Sequence, residues 1–166
     1  MVNTELRAGS WELRLEQEFQ RENQWLIPLA LIINDLNNDE QNQILKNLQM
    51  TGDEIKIIKD GLKATEKLQE GNIDSIKIFR ILNNHSIESI IIAKLLTQNN
   101  LIDEYLSKTS KIKLEITGQD LIKLGIPQGK QVGEILEKLL ELKIKNPNMT
   151  KEDEIEEVKQ LILNLR

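Results

Sequence analysis

A chain of 166 residues is long enough for one domain, or two small helical ones, with a real buried core. Charged residues make up 30% and apolar ones 39%, which excludes a disordered chain, and no apolar run approaches the length a membrane-spanning helix needs. The lack of cysteine removes disulfides and thiolate metal sites, the single histidine removes any site built on two imidazoles, and the net charge of −5 is not that of a general nucleic-acid binder.

Divided along the chain, the charge is uneven. Residues 1–60 carry net −5, 61–104 net −1, 105–150 net +3 and 151–166 net −2. The one basic quarter also holds four of the eight glycines. The opening "MVNTELRAGS" lacks the basic-then-apolar layout of a signal peptide, so the expected location is the cytoplasm, with no membrane partner.

The pattern is helical nearly throughout. Trp11, Leu15 and Phe19 mark one stripe of a first helix. "WLIPLALIINDL" (25–36) is mostly apolar and is expected to be buried on most sides, with Pro28 tolerable only near its first turn. Thr51 and Glu54 form a capping box opening a helix over 52–69, which "GN" at 71–72 ends. Two helices follow in "IDSIKIFRILNN" and "SIESIIIAKLLTQNN", the second capped by Ser86, and another runs from Leu101 to about Ser107. Thr117 and Asp120 repeat the Thr-x-x-acid cap before a short helix reaching Leu124. Val132, Ile135, Leu136, Leu139 and Leu140 give the stripe of the next helix, and Thr150 with Asp153 caps the last. The isoleucines recur at helical spacing without hairpin turn signals. The predicted fold is all-α, an irregular bundle of about nine to ten helices without a sheet, with a seam separating a body-like region, 1–110, from a tail-like region, 111–166.

No catalytic constellation emerges. "DLNNDEQNQILK" (35–46) begins like a calcium loop, but Glu40 stands where glycine is required and Lys46 where a bidentate acid is required, so it reads as a helix start. His85 lies between two helices without an identifiable partner. Glu152, Asp153, Glu154, Glu156 and Glu157 crowd the start of the final helix, where acids favour the helix dipole.

"ITGQDLIKLGIPQGKQVGEIL" (116–136) contains Gly118, Gly125, Gly129 and Gly133. The structural reading makes Gly125 a left-handed helix end, Gly129 the completion of a turn after Pro127, and Gly133 a point of close helix packing. The functional reading, favoured for Gly129, puts bare amides at the amino end of the next helix, beside Lys130 and Lys123, as a seat for phosphate. A helix-hairpin-helix motif binds nucleic-acid backbone in this way, but its glycines are two apart, not four.

The same segment resembles the C-terminal region of bacterial CCA-adding enzymes and their poly(A) polymerase relatives, the class II tRNA nucleotidyltransferases. The likeness rests on Thr117-Gly118-Gln119-Asp120-Leu121, Leu124-Gly125, Pro127, Gly129 and Val132-Gly133-Glu134-Ile135-Leu136. It continues through Asn146 and "TKEDEIEEVKQLI" (150–162), and upstream in "IFRILNNHSIESIIIAKLL" (78–96). Gln128 separates Pro127 from Gly129, where the family places proline directly before the glycine. The metal-binding Asp-x-Asp of the family's catalytic head occurs nowhere in this chain, and the neck that selects CTP and ATP is unmatched.

The resemblance therefore implies a body and tail that grip folded tRNA by shape and phosphate, inactive alone and holding no cofactor, because Mg2+ and CTP or ATP belong to the head and neck. Gly129, Lys130 and Gln131 are the expected phosphate contacts, with Lys123 and Lys113 adding charge. The expected partners are tRNA and the catalytic head and neck. The alternatives are a helical interaction or homodimerisation module without RNA affinity, and a helix-hairpin-helix-like binder of nucleic-acid backbone.

Overall fold

Side-chain caps set where most of these helices begin. The computed structural model of the chain describes residues 23–164, so the Trp11, Leu15, Phe19 stripe lies outside the described residues. Among them are nine α-helices, a single 3-10 turn and no strand, which is the all-α class expected. The chain divides into two compact units, Met1–Ser110 and Lys111–Arg166.

The first unit contains α1 (Leu26–Ile33), α2 (Asn38–Asn47), α3 (Gly52–Gln69), α4 (Ser75–Leu82), α5 (Ile87–Thr97) and α6 (Leu101–Ser107). Pro28 is the third residue of α1, where no intrahelical donor is lost. Asn37 accepts from the amides of Asp39 and Glu40, and Glu40 reaches back to the Asn37 amide, so the stretch that began like a calcium loop is a capping box. Thr51 and Glu54 build the same device at α3, while Asp74 and Ser86 cap α4 and α5. The carboxyl end of α1 is satisfied from outside the helix: buried Gln41 donates Nε2 to the carbonyls of Ile33 and Leu36 at 3.2 and 2.9 Å.

The centre of this unit is the crossing of α3 and α5. Ile58, Leu62, Ile91 and Ile92 join Leu26, Ala30 and Ile33 of α1 in one core. Gly61 is the point of closest approach: a Cβ there would stand 2.9 Å from Ile92 Cβ and 3.0 Å from the Ser89 carbonyl oxygen. Ser89 Oγ donates across the crossing to the Ile57 carbonyl at 2.8 Å. On the far side Phe79 of α4 meets Tyr105 of α6 edge-on, with ring centroids 6.1 Å apart.

Helix α1 departs from its expected burial on most sides. Leu26, Ile27, Ala30 and Ile33 are buried, but Ile32 is 76% exposed and Trp25 44%. The described helices cover one face only.

The second unit holds α7 (Gly118–Lys123), α8 (Lys130–Lys145) and α9 (Lys151–Asn164) around a core of Ile116, Leu121, Ile126, Ile135, Leu139 and Val158. Thr117–Asp120 and Thr150–Asp153 cap α7 and α9. The five acids near the start of α9 are not all dipole ornaments. Glu154 is fully buried, accepting the amides of Glu115 and Ile116 at 3.0 Å each on Oε2 and Lys143 Nζ at 2.5 Å on Oε1. Its side chain thus ties the approach to α7 onto α9.

Candidate nucleic-acid interface

The six residues between α7 and α8 are shaped by two glycines with positive φ. Gly125 has φ 94°; its amide bonds the Ile122 carbonyl at 3.0 Å and the next amide, of Ile126, bonds the Leu121 carbonyl at 3.1 Å. This pair of bonds is the Schellman arrangement, and Ile126 and Leu121 share the core beneath it. Gly129, at φ 141° and ψ −150°, occupies a region that only glycine enters without strain. Its backbone therefore demands glycine before any ligand is considered.

Gly129 is also the N-cap of α8, and supplies no side-chain oxygen to that helix. The Val132 amide turns back to the Gly129 carbonyl at 3.2 Å, whereas Lys130 and Gln131, the first two residues of the helix, are exposed. Nothing stands within 4 Å of where a Gly129 Cβ would be. The corner opens onto a broad hollow of about 680 Å³ lined by Thr117, Gly118, Gln119, Ile122, Gln128, Gly129 and Val132. The amino ends of α7 and α8 thus meet on one concavity, and their partial positive charges add there. The α7 end is already answered: Asp120 accepts from the Thr117 amide at 2.9 Å and hydroxyl at 2.8 Å. Those bonds, the amide foremost, hold the Asp120 carboxyl below its ordinary range, with Lys151 and Lys123 adding to the effect. The α8 end has no such acid.

The other predicted residues are placed as follows. Lys130 is 91% exposed and 3.2 Å from Glu134; Lys123 is 77% exposed and 3.9 Å from Asp120. Both flank the corner but neither carries its charge unopposed. Lys113 is exposed in the segment before α7, and is not among the residues lining the hollow. Gly118 lies in the hollow and is tight, since a Cβ would stand 3.1 Å from Val132 Cγ1. Gly133 corrects the packing explanation offered for it: it is exposed, with nothing within 4 Å of a would-be Cβ.

Two features escaped the sequence reading. Lys151 joins Lys123 and Asp120 around a second hollow of about 260 Å³. Lys143, whose side chain is only 6% exposed, spans Glu154 and, at 3.1 Å, Glu115. Burial pushes its ammonium down, but hydrogen bonds and charge from Glu154 and Glu115 outweigh this and hold it above the ordinary lysine value. A signal existed, since Lys143 continues the Val132, Ile135, Leu139 stripe.

These features define an all-α module with no helix long and apolar enough to cross a membrane among the described residues. The chain belongs to the family described as tRNA nucleotidyltransferase domain 2, whose model matches residues 17–159. Comparison with curated proteins and with solved structures gives no match.

Proposed function

We propose that this chain is the tRNA-holding body and tail of a CCA-adding type tRNA nucleotidyltransferase, with the catalytic head and neck supplied as separate parts of the enzyme. Membership of the tRNA nucleotidyltransferase domain 2 family over residues 17–159 carries this reading. The open corner at Gly129 supports it locally: uncapped amides at the start of α8 suit a phosphate oxygen, and Lys130, Lys123 and Lys151 lie on nearby surface. Recognition is of backbone and shape, in keeping with bare amides and lysines that suit phosphate rather than any one base. Mg2+ and CTP or ATP would bind the head and neck, and the chain alone adds no nucleotide.

The test compares whole tRNA with an acceptor-stem minihelix lacking the elbow, in direct binding to the wild-type chain and to Lys130→Glu. Whole tRNA should bind more tightly, and Lys130→Glu should weaken it while flattening the salt dependence by about one phosphate contact. An acid at the first position of α8 suits the helix dipole but faces Glu134, so folding stability should change by less than about 0.5 kcal/mol. Equal binding of the two RNAs, or no response to Lys130→Glu, rejects the reading.

A further inference from the structure

The hollow between α7 and α8 lies in the one basic quarter of the chain, yet none of its lining side chains is charged. They are apolar, Ile122 and Val132, or neutral and polar, Thr117, Gln119 and Gln128; Lys123 and Lys130 flank the hollow without lining it. Ile122 is 41% exposed and takes no part in the core that holds its neighbours Leu121 and Leu124. An exposed isoleucine offers a phosphate nothing. The lining therefore suits a second kind of group, uncharged and partly apolar, beside the phosphate seat at the start of α8.

We propose that the hollow receives the face of an unstacked nucleobase from a single-stranded part of the RNA, while that strand's phosphate sits at the start of α8. This rests on the RNA-holding reading above and names the part of the RNA that is held, an unpaired nucleotide rather than a regular duplex. At about 680 Å³ the hollow falls within the range of small-molecule sites. Nothing stands within 4 Å of where a Gly129 Cβ would be, so a flat ring can lie close to the backbone there. Ile122 and Val132 present apolar surface to the ring face. The Gln119 and Gln128 amides can each donate and accept at its edge, so the site tolerates any base. The hollow is broad and open, which suits a base still joined to its strand rather than an enclosed mononucleotide.

The test titrates the full-length chain with two end-labelled strands of equal length, oligoadenylate and the same ribose-phosphate backbone without bases, followed by fluorescence anisotropy. Oligoadenylate should bind about fivefold more tightly, the low end of base stacking because the surface is aliphatic. The Ile122 δ-methyl resonance should move upfield on adding oligoadenylate and stay in place with the abasic strand. Ile122→Gln should abolish the preference with the thermal transition retained, since the side chain lies outside the core, and Ile122→Leu should keep it. Lys130→Glu should weaken both strands alike. Equal binding of the two strands, failure of both to bind, or a preference that survives Ile122→Gln overturns the proposal. So does displacement of oligoadenylate by free adenosine monophosphate at the same nucleotide concentration, which would make the occupant a mononucleotide. The two readings fail separately: equal binding that Lys130→Glu weakens removes the base and leaves the phosphate seat, whereas a preference that answers to Ile122→Gln but not to Lys130→Glu does the reverse.

Discussion

Lys143 shows what a single buried cation does for the second unit. It sits between Glu154, which is fully buried, and Glu115, which is half-exposed, so the Glu154 carboxylate has no comparable cation to replace Lys143 among the ion pairs of the described residues. Removing one member of a buried pair leaves the other uncompensated, so Lys143→Met should cost about 3 kcal/mol in urea unfolding. The sign of its pH dependence follows from a folded-state value raised above the unfolded one. The contribution is whole below about pH 10 and is lost as pH climbs through the raised value. Wild type and Lys143→Met should therefore converge in stability as pH rises through that value. The capping acids behave oppositely. Glu54, Asp120 and Asp153 are held below their ordinary values, first by the amides of Thr51, Thr117 and Thr150 and then by the hydroxyls. Their contribution is present above about pH 4 and disappears as pH falls through the depressed values. Unfolding curves of wild type and Asp120→Ala at neutral and acid pH check this: the loss seen at neutrality should shrink as pH falls through the depressed value.

Helix starts were the most legible elements, because a Thr-x-x-acid cap is a local device that needs no knowledge of the rest of the chain. Thr51, Ser86, Thr117 and Thr150 all begin helices where their spacing says they should. Close packing was not legible, because it depends on which helices cross. The sequence drew attention to Gly133, four residues after Gly129, whereas the glycine that permits two helices to meet is Gly61, which stands alone between Asp60 and Leu62 in α3. The two should respond oppositely to the same change. Gly61→Ala pushes a methyl into Ile92 and the Ser89 carbonyl and should destabilise by about 1–3 kcal/mol. Gly133→Ala adds a methyl to an exposed helix interior with open space around it and should stabilise by about 0.5–1 kcal/mol. Thermal unfolding of the pair checks both signs. Of the candidate interface, the turn and its glycines were readable from composition, while the hollow formed by the amino ends of α7 and α8, and the place of Lys151 beside Lys123, required the fold.

For the whole molecule, the charge distribution bounds how RNA can be held. A chain of net −5 with a single region of net +3 does not attract RNA over its full surface, so the RNA binding proposed above would be oriented by that region. If about three phosphates are neutralised, the logarithm of the binding constant should fall against the logarithm of salt with a slope of about −2 to −3. A titration over a range of potassium chloride gives that slope directly; one near −6 would require basic residues beyond residues 105–150 to take part.

The buried carboxylate of Glu154 has a practical corollary for dissecting this chain. It lies in the last helix by sequence, yet it is what closes the amides of Glu115 and Ile116 at the threshold of the second unit. A fragment cut at the "NPN" of residues 146–148 would keep every residue of the glycine corner while stranding Lys143 without its closest counter-ion. The minimal piece that preserves the corner must therefore extend through the carboxyl-terminal helix, although no residue of that helix lines the hollow.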